Sequence, residues 1–233
     1  MEPSAFLNKG VRAIGKERVV KLLRHFGNGY SVPIVSVGSG MGAIESMASD
    51  VKGGWVCVDP DWKSYHTGQV VHEGLAEEHR KPFIVPEYPL VKQLVKARPE
   101  IVGNCCVFLN WCDPNESDYD AEAVDLLRPI GIMTVMERFG ESYGAAGGER
   151  FHALYEQSLT DGGPYTRFYE TRAEVETESW IIGNLDIRLV WLHRRDHVLP
   201  DLPHAIEQEE PKWEEKFPEI YALLSLKMLG LKY

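Results

Sequence analysis

Three glycines, Gly38, Gly40 and Gly42, and an aspartate, Asp59, are the residues whose types and spacing speak most plainly of chemistry in this 233-residue chain. Glycine lets a backbone pass close to a ligand with no Cβ in the way. A helix that starts straight after such a turn offers unpaired N–H groups. A carboxylate at the end of the next strand can accept two ribose hydroxyl bonds. Asp59 lies 19 residues beyond Gly40, close to the spacing of about 20 expected for that acid. Together these meet the needs of a nucleoside or dinucleotide site, although glycine triplets also make ordinary tight loops. A second set is Asn110-Trp111-Cys112-Asp113-Pro114. Asn110 offers an amide carbonyl, Trp111 a face for a cation or planar acceptor, and Asp113 a base. The plainer alternative is that Asp113-Pro114 turns the chain and Asn110 caps backbone groups.

The elements that must position these residues alternate. Residues 34–37, Ile-Val-Ser-Val, read as a buried strand, 43–48 as a short helix and 55–58 as a second buried strand. A short third strand is expected at 82–85, ending at Pro86-Glu87-Tyr88-Pro89, then a helix at 90–97 and a fourth strand at 105–109. Asp120 is expected to cap a helix running to Leu127, followed by a fifth strand at 131–136 and a helix at 149–159. The pattern then changes to two longer alternating segments, 165–176 and 185–194, which read as an antiparallel pair. Ahead of the first strand, residues 6–26 form one or two amphipathic helices, with a break at Gly15 and a stop at Gly27-Asn28-Gly29. The segment 64–80 has no clear element, and its His66, His72 and His79 read as solvated, without the compact spacing of a zinc site. Strand–helix alternation implies an α/β fold, a doubly wound, mostly parallel sheet with helices on both faces.

The glycine pattern resembles motif I of the class I S-adenosylmethionine-dependent methyltransferases, a hydrophobic strand followed by G-x-G-x-G at Gly38, Gly40 and Gly42. The resemblance covers about residues 30–195 and implies a seven-stranded sheet in the order 3-2-1-4-5-7-6, with S-adenosylmethionine as cofactor. It implies a cofactor site drawn from Ser36, Gly38, Ser39, Gly40, Gly42, Asp59, Pro60, Glu87, Asn110 and Trp111, and catalytic roles for Asn110 and Asp113. Asp59 matches the acid that holds the ribose. Many members carry another acid two residues before the first glycine, where it helps fix the methionine end of the cofactor, and this chain has Ser36 there. Residues 110–114 stand at the motif IV position, but Trp-Cys intervenes before Asp113-Pro114, unlike the Asn/Asp-Pro-Pro-aromatic motif of amino-methylating members. After strand five the chain has Glu137-Arg138-Phe139 rather than the lysine of ribose-methylating RNA enzymes. Two alternatives stay open. The fold could serve as a non-catalytic binding or scaffold module, and Gly38-x-Gly40-x-x-Ala43 also satisfies the relaxed pattern of a nicotinamide-dinucleotide oxidoreductase.

Composition bounds the rest. The length suits a single domain over 1–233, with an N-terminal helical segment to residue 30, an α/β core at 31–195, and an acidic link and helix (expected at 219–229) in 196–233. Four cysteines without a C-x-x-C pair, and no signal-peptide core at the start, give a cytoplasmic expectation with reduced thiols and no membrane contact. The net charge of −10 disfavours loose binding to nucleic acid. Within it, Lys9, Arg12, Lys16, Arg18, Lys21 and Arg24 make one basic cluster. On a continuous helix Lys9, Arg12 and Lys16 share a face, a candidate strip for an RNA or nucleotide acceptor; a solvated helix face is the plainer reading.

Overall fold

The structure, a computed structural model, describes residues 9–67, 82–110, 118–137, 148–160, 162–176 and 184–200. Among the described residues six strands form one sheet: β1 (Ile34–Val37), β2 (Trp55–Val58), β3 (Cys106–Leu109), β4 (Gly131–Glu137), β5 (Tyr165–Glu176) and β6 (Asn184–Arg194). Their order is β2-β1-β3-β4-β6-β5. β2, β1, β3 and β4 pair in parallel, while β6 is antiparallel to both β4 and β5. The parallel strands are short and apolar on both faces because both faces are covered.

One face packs Val35, Val37, Val56, Val58, Val107 and Leu109 against α5 (Val91–Ala97), α6 (Tyr119–Leu127) and α7 (Glu149–Ser158). On the other face lie α1 (Lys9–Ile14) and α2 (Lys16–Tyr30), where the Phe26 ring meets Trp191 edge-on at 5.1 Å. Two short helices, α3 (Ala43–Met47) and α4 (Trp62–Thr67), flank the end of the sheet built from β1 and β2. Arg18 donates to Thr171 Oγ1 at 3.2 Å, and Thr171 lies level, through Leu189, with Val135 near the C-terminal end of β4. At the other end of α2, Tyr30 Oη bonds His193 Nδ1 at 2.8 Å, level with Gly131. α2 therefore runs antiparallel to β4 and starts at the rim formed by the strand C-termini.

The expected seven-stranded order is corrected at one position. In the family numbering the observed order is 2-1-4-5-7-6, and residues 82–85 are not a strand. Pro82, Pro86 and Pro89 each lack an N–H, so a ladder through this segment would be broken repeatedly. What stands beside β2 is a single parallel bridge, Val58 to Tyr88, with Glu87 N–H donating to Cys57 O at 2.8 Å. Three smaller expectations shift as well. The helix expected to stop at Gly27-Asn28-Gly29 continues to Tyr30 and ends at Ser31, whose φ is 54°. Gly15, with φ 98°, does separate α1 from α2. Asp120 lies inside α6 rather than at its cap, which is Asp118; its carboxylate accepts the N–H groups of Ala121 and Gly148, tying α6 to the start of α7. Contacts cluster into one unit over Met1–Pro200 and another over Asp201–Tyr233. The helix expected at 219–229 lies outside the described residues.

Candidate functional site

β1 delivers the chain at Val37 into a turn with left-handed backbone at Gly38 (φ 70°), Gly40 (φ 54°) and Gly42 (φ 67°). Other L-residues would enter that region at about 1–2 kcal/mol each. Internal bonds fix the turn. Gly38 and Ser39 N–H donate to Val58 O at 2.9 and 3.3 Å, and Gly42 N–H donates to Ser39 O at 2.9 Å. Gly40 N–H donates to Asp59 Oδ2 at 2.7 Å, and Asp61 N–H to Asp59 Oδ1 at 2.9 Å. The 19-residue spacing that suggests a ribose ligand thus also closes a bond within the chain.

The turn is covered on one side. Phe83 and Ile84 N–H both donate to Met41 O, at 2.8 and 3.2 Å. A Cβ built on Gly42 would stand 2.6 Å from Ile84 Cβ and 2.9 Å from its backbone N and O, while one on Gly40 would meet the Tyr65 hydroxyl at 3.6 Å. Met41, Tyr65 and Phe83 form a small apolar cluster of their own. Burial, and the nearby carboxylates of Asp59 and Asp61, push the Tyr65 phenol up, so it stays a neutral hydroxyl. Segment 82–85, expected as a strand, is instead seated on the glycine turn.

Beneath the turn is a residue that the sequence reading missed. Glu45, in the middle of α3, is 0% exposed. Its Oε1 accepts from Ser36 Oγ at 2.5 Å and from Asn110 Nδ2 at 3.2 Å, while its Oε2 has no hydrogen-bond partner among the described residues. Burial drives its pKa up to about 7; the bonds from Ser36 and Asn110 oppose this, and the Asp59 carboxylate adds to it. Three strands meet here, since Ser36 is level with Cys57 on β2 and with Phe108 on β3. The neighbouring Cys57 thiol is pushed up by burial first and by Glu45 second, which keeps it protonated. A signal existed in the sequence: an acid in the apolar run Ala43-Ile44-Glu45, immediately after the turn, nine residues beyond a serine standing where an acid is common.

The expected site residues divide into three groups. Ser36, Gly38, Ser39, Gly40, Gly42, Asp59 and Asn110 come together around the turn, Asn110 half-buried with its N–H on Val37 O at 3.0 Å. Pro60 follows Asp59 on the surface, and Glu87 is exposed, joined to β2 through its backbone. Trp111 and Asp113 lie outside the described residues. Trp62 packs edge-on against His66, whose Nε2 bonds Pro86 O at 3.0 Å, so this histidine braces the segment leading to Glu87. Among the described residues no group of three or more His, Cys, Asp or Glu side chains could hold a metal ion. A separate hollow between the starts of α5 and α6, lined by Leu90, Val91, Lys92, Tyr119, Glu122 and Ala123, does not include the turn.

Gly15 alters the basic strip. Lys9 and Arg12 lie on α1 and Lys16 on α2, so the one-face argument for a continuous helix does not join them. Two other members of the cluster are engaged within the fold: Arg18 with Thr171, and Arg24 with Asp50 at 2.8 Å and Met47 O at 2.9 Å.

No protein-family model matches the sequence, and no curated protein matches it. Solved structures do align with it. A SAM-dependent methyltransferase from Anabaena variabilis is 10% identical over 78% of this chain and 86% of its own, with a TM-score of 0.46. An O-methyltransferase from Bacillus cereus in complex with SAH is 14% identical over 76% and 80%, with a TM-score of 0.43. An O-methyltransferase from Streptomyces achromogenes in complex with SAM is 15% identical over 82% and 93%, with a TM-score of 0.42. Structural neighbours of this chain are thus SAM-dependent methyltransferases; at these scores the likeness is too slight to argue from, and the site is read from its own geometry.

Proposed function

We propose that this chain binds S-adenosylmethionine at the turn of residues 38–42 and transfers its methyl group to an acceptor. One observation carries the reading: a fully buried carboxylate, Glu45, with an oxygen that no group among the described residues satisfies, directly after a left-handed glycine turn. The turn leaves β1, which pairs with β2 on one side and β3 on the other. In an open α/β sheet, ligands gather outside the strand C-termini at this reversal of strand order. An unsatisfied buried carboxylate is costly unless a cation or a proton meets it. An S-adenosyl ligand brings cationic groups and a ribose, which suits the two carboxylates at the turn, Glu45 and Asp59. When bound, S-adenosylmethionine supplies a methyl group already activated by its sulfonium. The chain's residues then position and exclude water: Asp59 accepts the ribose hydroxyls, the turn lets the backbone approach, and Asn110 stands toward the acceptor.

Titration calorimetry tests this. One site is expected for S-adenosylmethionine and for its demethylated product, S-adenosylhomocysteine. Asp59→Asn keeps an oxygen for the Gly40 N–H and should weaken binding about tenfold or more by losing the charged acceptor. Binding of a nicotinamide dinucleotide instead would overturn the reading in favour of an oxidoreductase. A specific observation favours the other alternative, a non-catalytic module: Phe83 and Ile84 are hydrogen-bonded onto Met41, against Gly42. Absence of binding by any of these ligands at millimolar concentration would select it.

A further inference from the structure

We propose that the Glu45 carboxylate, delivered by α3 and held by Ser36 and Asn110, is the group that recognises the ammonium of the cofactor's amino-acid end. The inference rests on the S-adenosyl reading above and deepens it by assigning a residue outside the glycine motif. Three observations support it. First, Glu45 has two donors on one oxygen and none on the other, so it is oriented but not neutralised. Second, the ionisable groups coupled to it are acidic, the Asp59 carboxylate at the end of β2 and the Cys57 thiol on β2, and among the described residues no cation pairs with Glu45. The Glu45 carboxylate, in the negative field of the Asp59 carboxylate, makes a well for one positive group. Third, Ser36 and Glu45 exclude a second acid. The serine hydroxyl donates to Glu45 at 2.5 Å, where a carboxylate at position 36 would confront another carboxylate. The fold has room for one anion here, and α3 supplies it rather than β1.

Burial sets a condition on the event. Glu45 is sealed at 0% exposure, and Asn110 is the half-buried polar group that joins it to the rim. A cation arriving there stabilises the ionised carboxylate, and the proton held by the neutral fraction leaves to solvent. The carboxyl O–H is the one bond that breaks, and buffer takes the proton.

The test compares S-adenosylhomocysteine with its deaminated analogue, in which hydrogen replaces the ammonium. Wild type should prefer the ammonium ligand by about tenfold to a hundredfold, the range of a charge-assisted bond. Glu45→Gln should abolish that preference and leave affinity for the deaminated analogue near wild type. Calorimetry on wild type alone gives a second readout that does not depend on the variant folding. With the carboxyl pKa raised by burial, binding of S-adenosylhomocysteine at pH 7 in buffers of different ionisation enthalpy should release a fraction of a proton. The deaminated analogue should release none. If wild type binds S-adenosylhomocysteine but shows neither preference nor proton release, or if Glu45→Gln keeps the preference, the assignment fails and the cofactor reading stands. If wild type binds neither ligand, both fail together.

Discussion

Glu45→Gln also makes a prediction that needs no ligand. The wild-type carboxyl titrates at about 7 in the folded chain, against an ordinary value of 4.5. A raised acid pKa means that the folded state holds its proton more tightly than the unfolded state does. Its contribution to stability is therefore fully present below pH 4.5 and is lost as pH rises through about 7. At about 1.4 kcal/mol per pH unit, ionising Glu45 costs the fold about 3 kcal/mol over that window. Glutamine keeps the size and an oxygen for Ser36 and Asn110, but it cannot ionise. Urea unfolding at half-unit steps from pH 4.5 to 8 should show the difference between wild type and variant changing by about 3 kcal/mol in favour of the variant. The comparison cancels every other titrating group, and the constant offset from the altered hydrogen bonds does not matter. Two curves that stay parallel across this range would refute the reasoning, because Glu45 would then be ionised throughout or equally neutral in both states.

Two further predictions concern the turn and the basic residues. Gly42→Ala forces a Cβ into left-handed backbone and against Ile84, so it should cost about 2–5 kcal/mol in unfolding experiments. Gly54→Ala, at φ 71° with nothing within 4 Å of its Cβ, should cost only the conformational part, about 1–2 kcal/mol. Equal losses would mean that Ile84 does not rest on the turn. If an RNA acceptor uses Lys9, Arg12 and Lys16, replacing the three together by glutamine should weaken binding of a single-stranded RNA and lower its salt slope by about 2, with S-adenosylhomocysteine affinity unchanged. An RNA affinity indifferent to salt in wild type would remove RNA as the acceptor.

Most of the sheet is legible in the sequence because its strands are short, apolar on both faces and punctuated by glycine. Residues 34–37 and 55–58 are observed with the boundaries expected, and the long pair is observed as antiparallel strands at 165–176 and 184–194, one residue earlier than expected at the second start. The third strand misleads because Phe83-Ile84-Val85 has strand composition while the prolines around it remove donors. Composition is local, whereas the choice between pairing with β2 and lying on Met41 is made by where the N–H groups find acceptors. Helix ends fail for a similar reason. Gly27-Asn28-Gly29 reads as a stop, yet Gly27 packs its bare Cα against Val51 and Ile34, and the helix gains from running on to Tyr30, whose hydroxyl accepts from Trp191.

The site is legible in its backbone and not in its charges. A glycine motif states where the chain must turn, since left-handed φ is written in residue type. It does not state which side chain will supply an anion, because a carboxylate can reach the same place from a strand or from the helix after the turn. Ser36 viewed alone argues for a weakened site. Ser36 with Glu45 on its hydroxyl argues for a carboxylate that has changed its carrier. The two accounts differ in what Ser36 does. If the serine merely replaces a lost acid, Ser36→Ala is neutral. If it orients Glu45, removing its hydroxyl takes away one of the two donors that favour the ionised form, and the carboxyl pKa must rise further above about 7. The wild-type loss of stability with pH would then move to higher pH, a displacement that only a working Ser36–Glu45 pair produces.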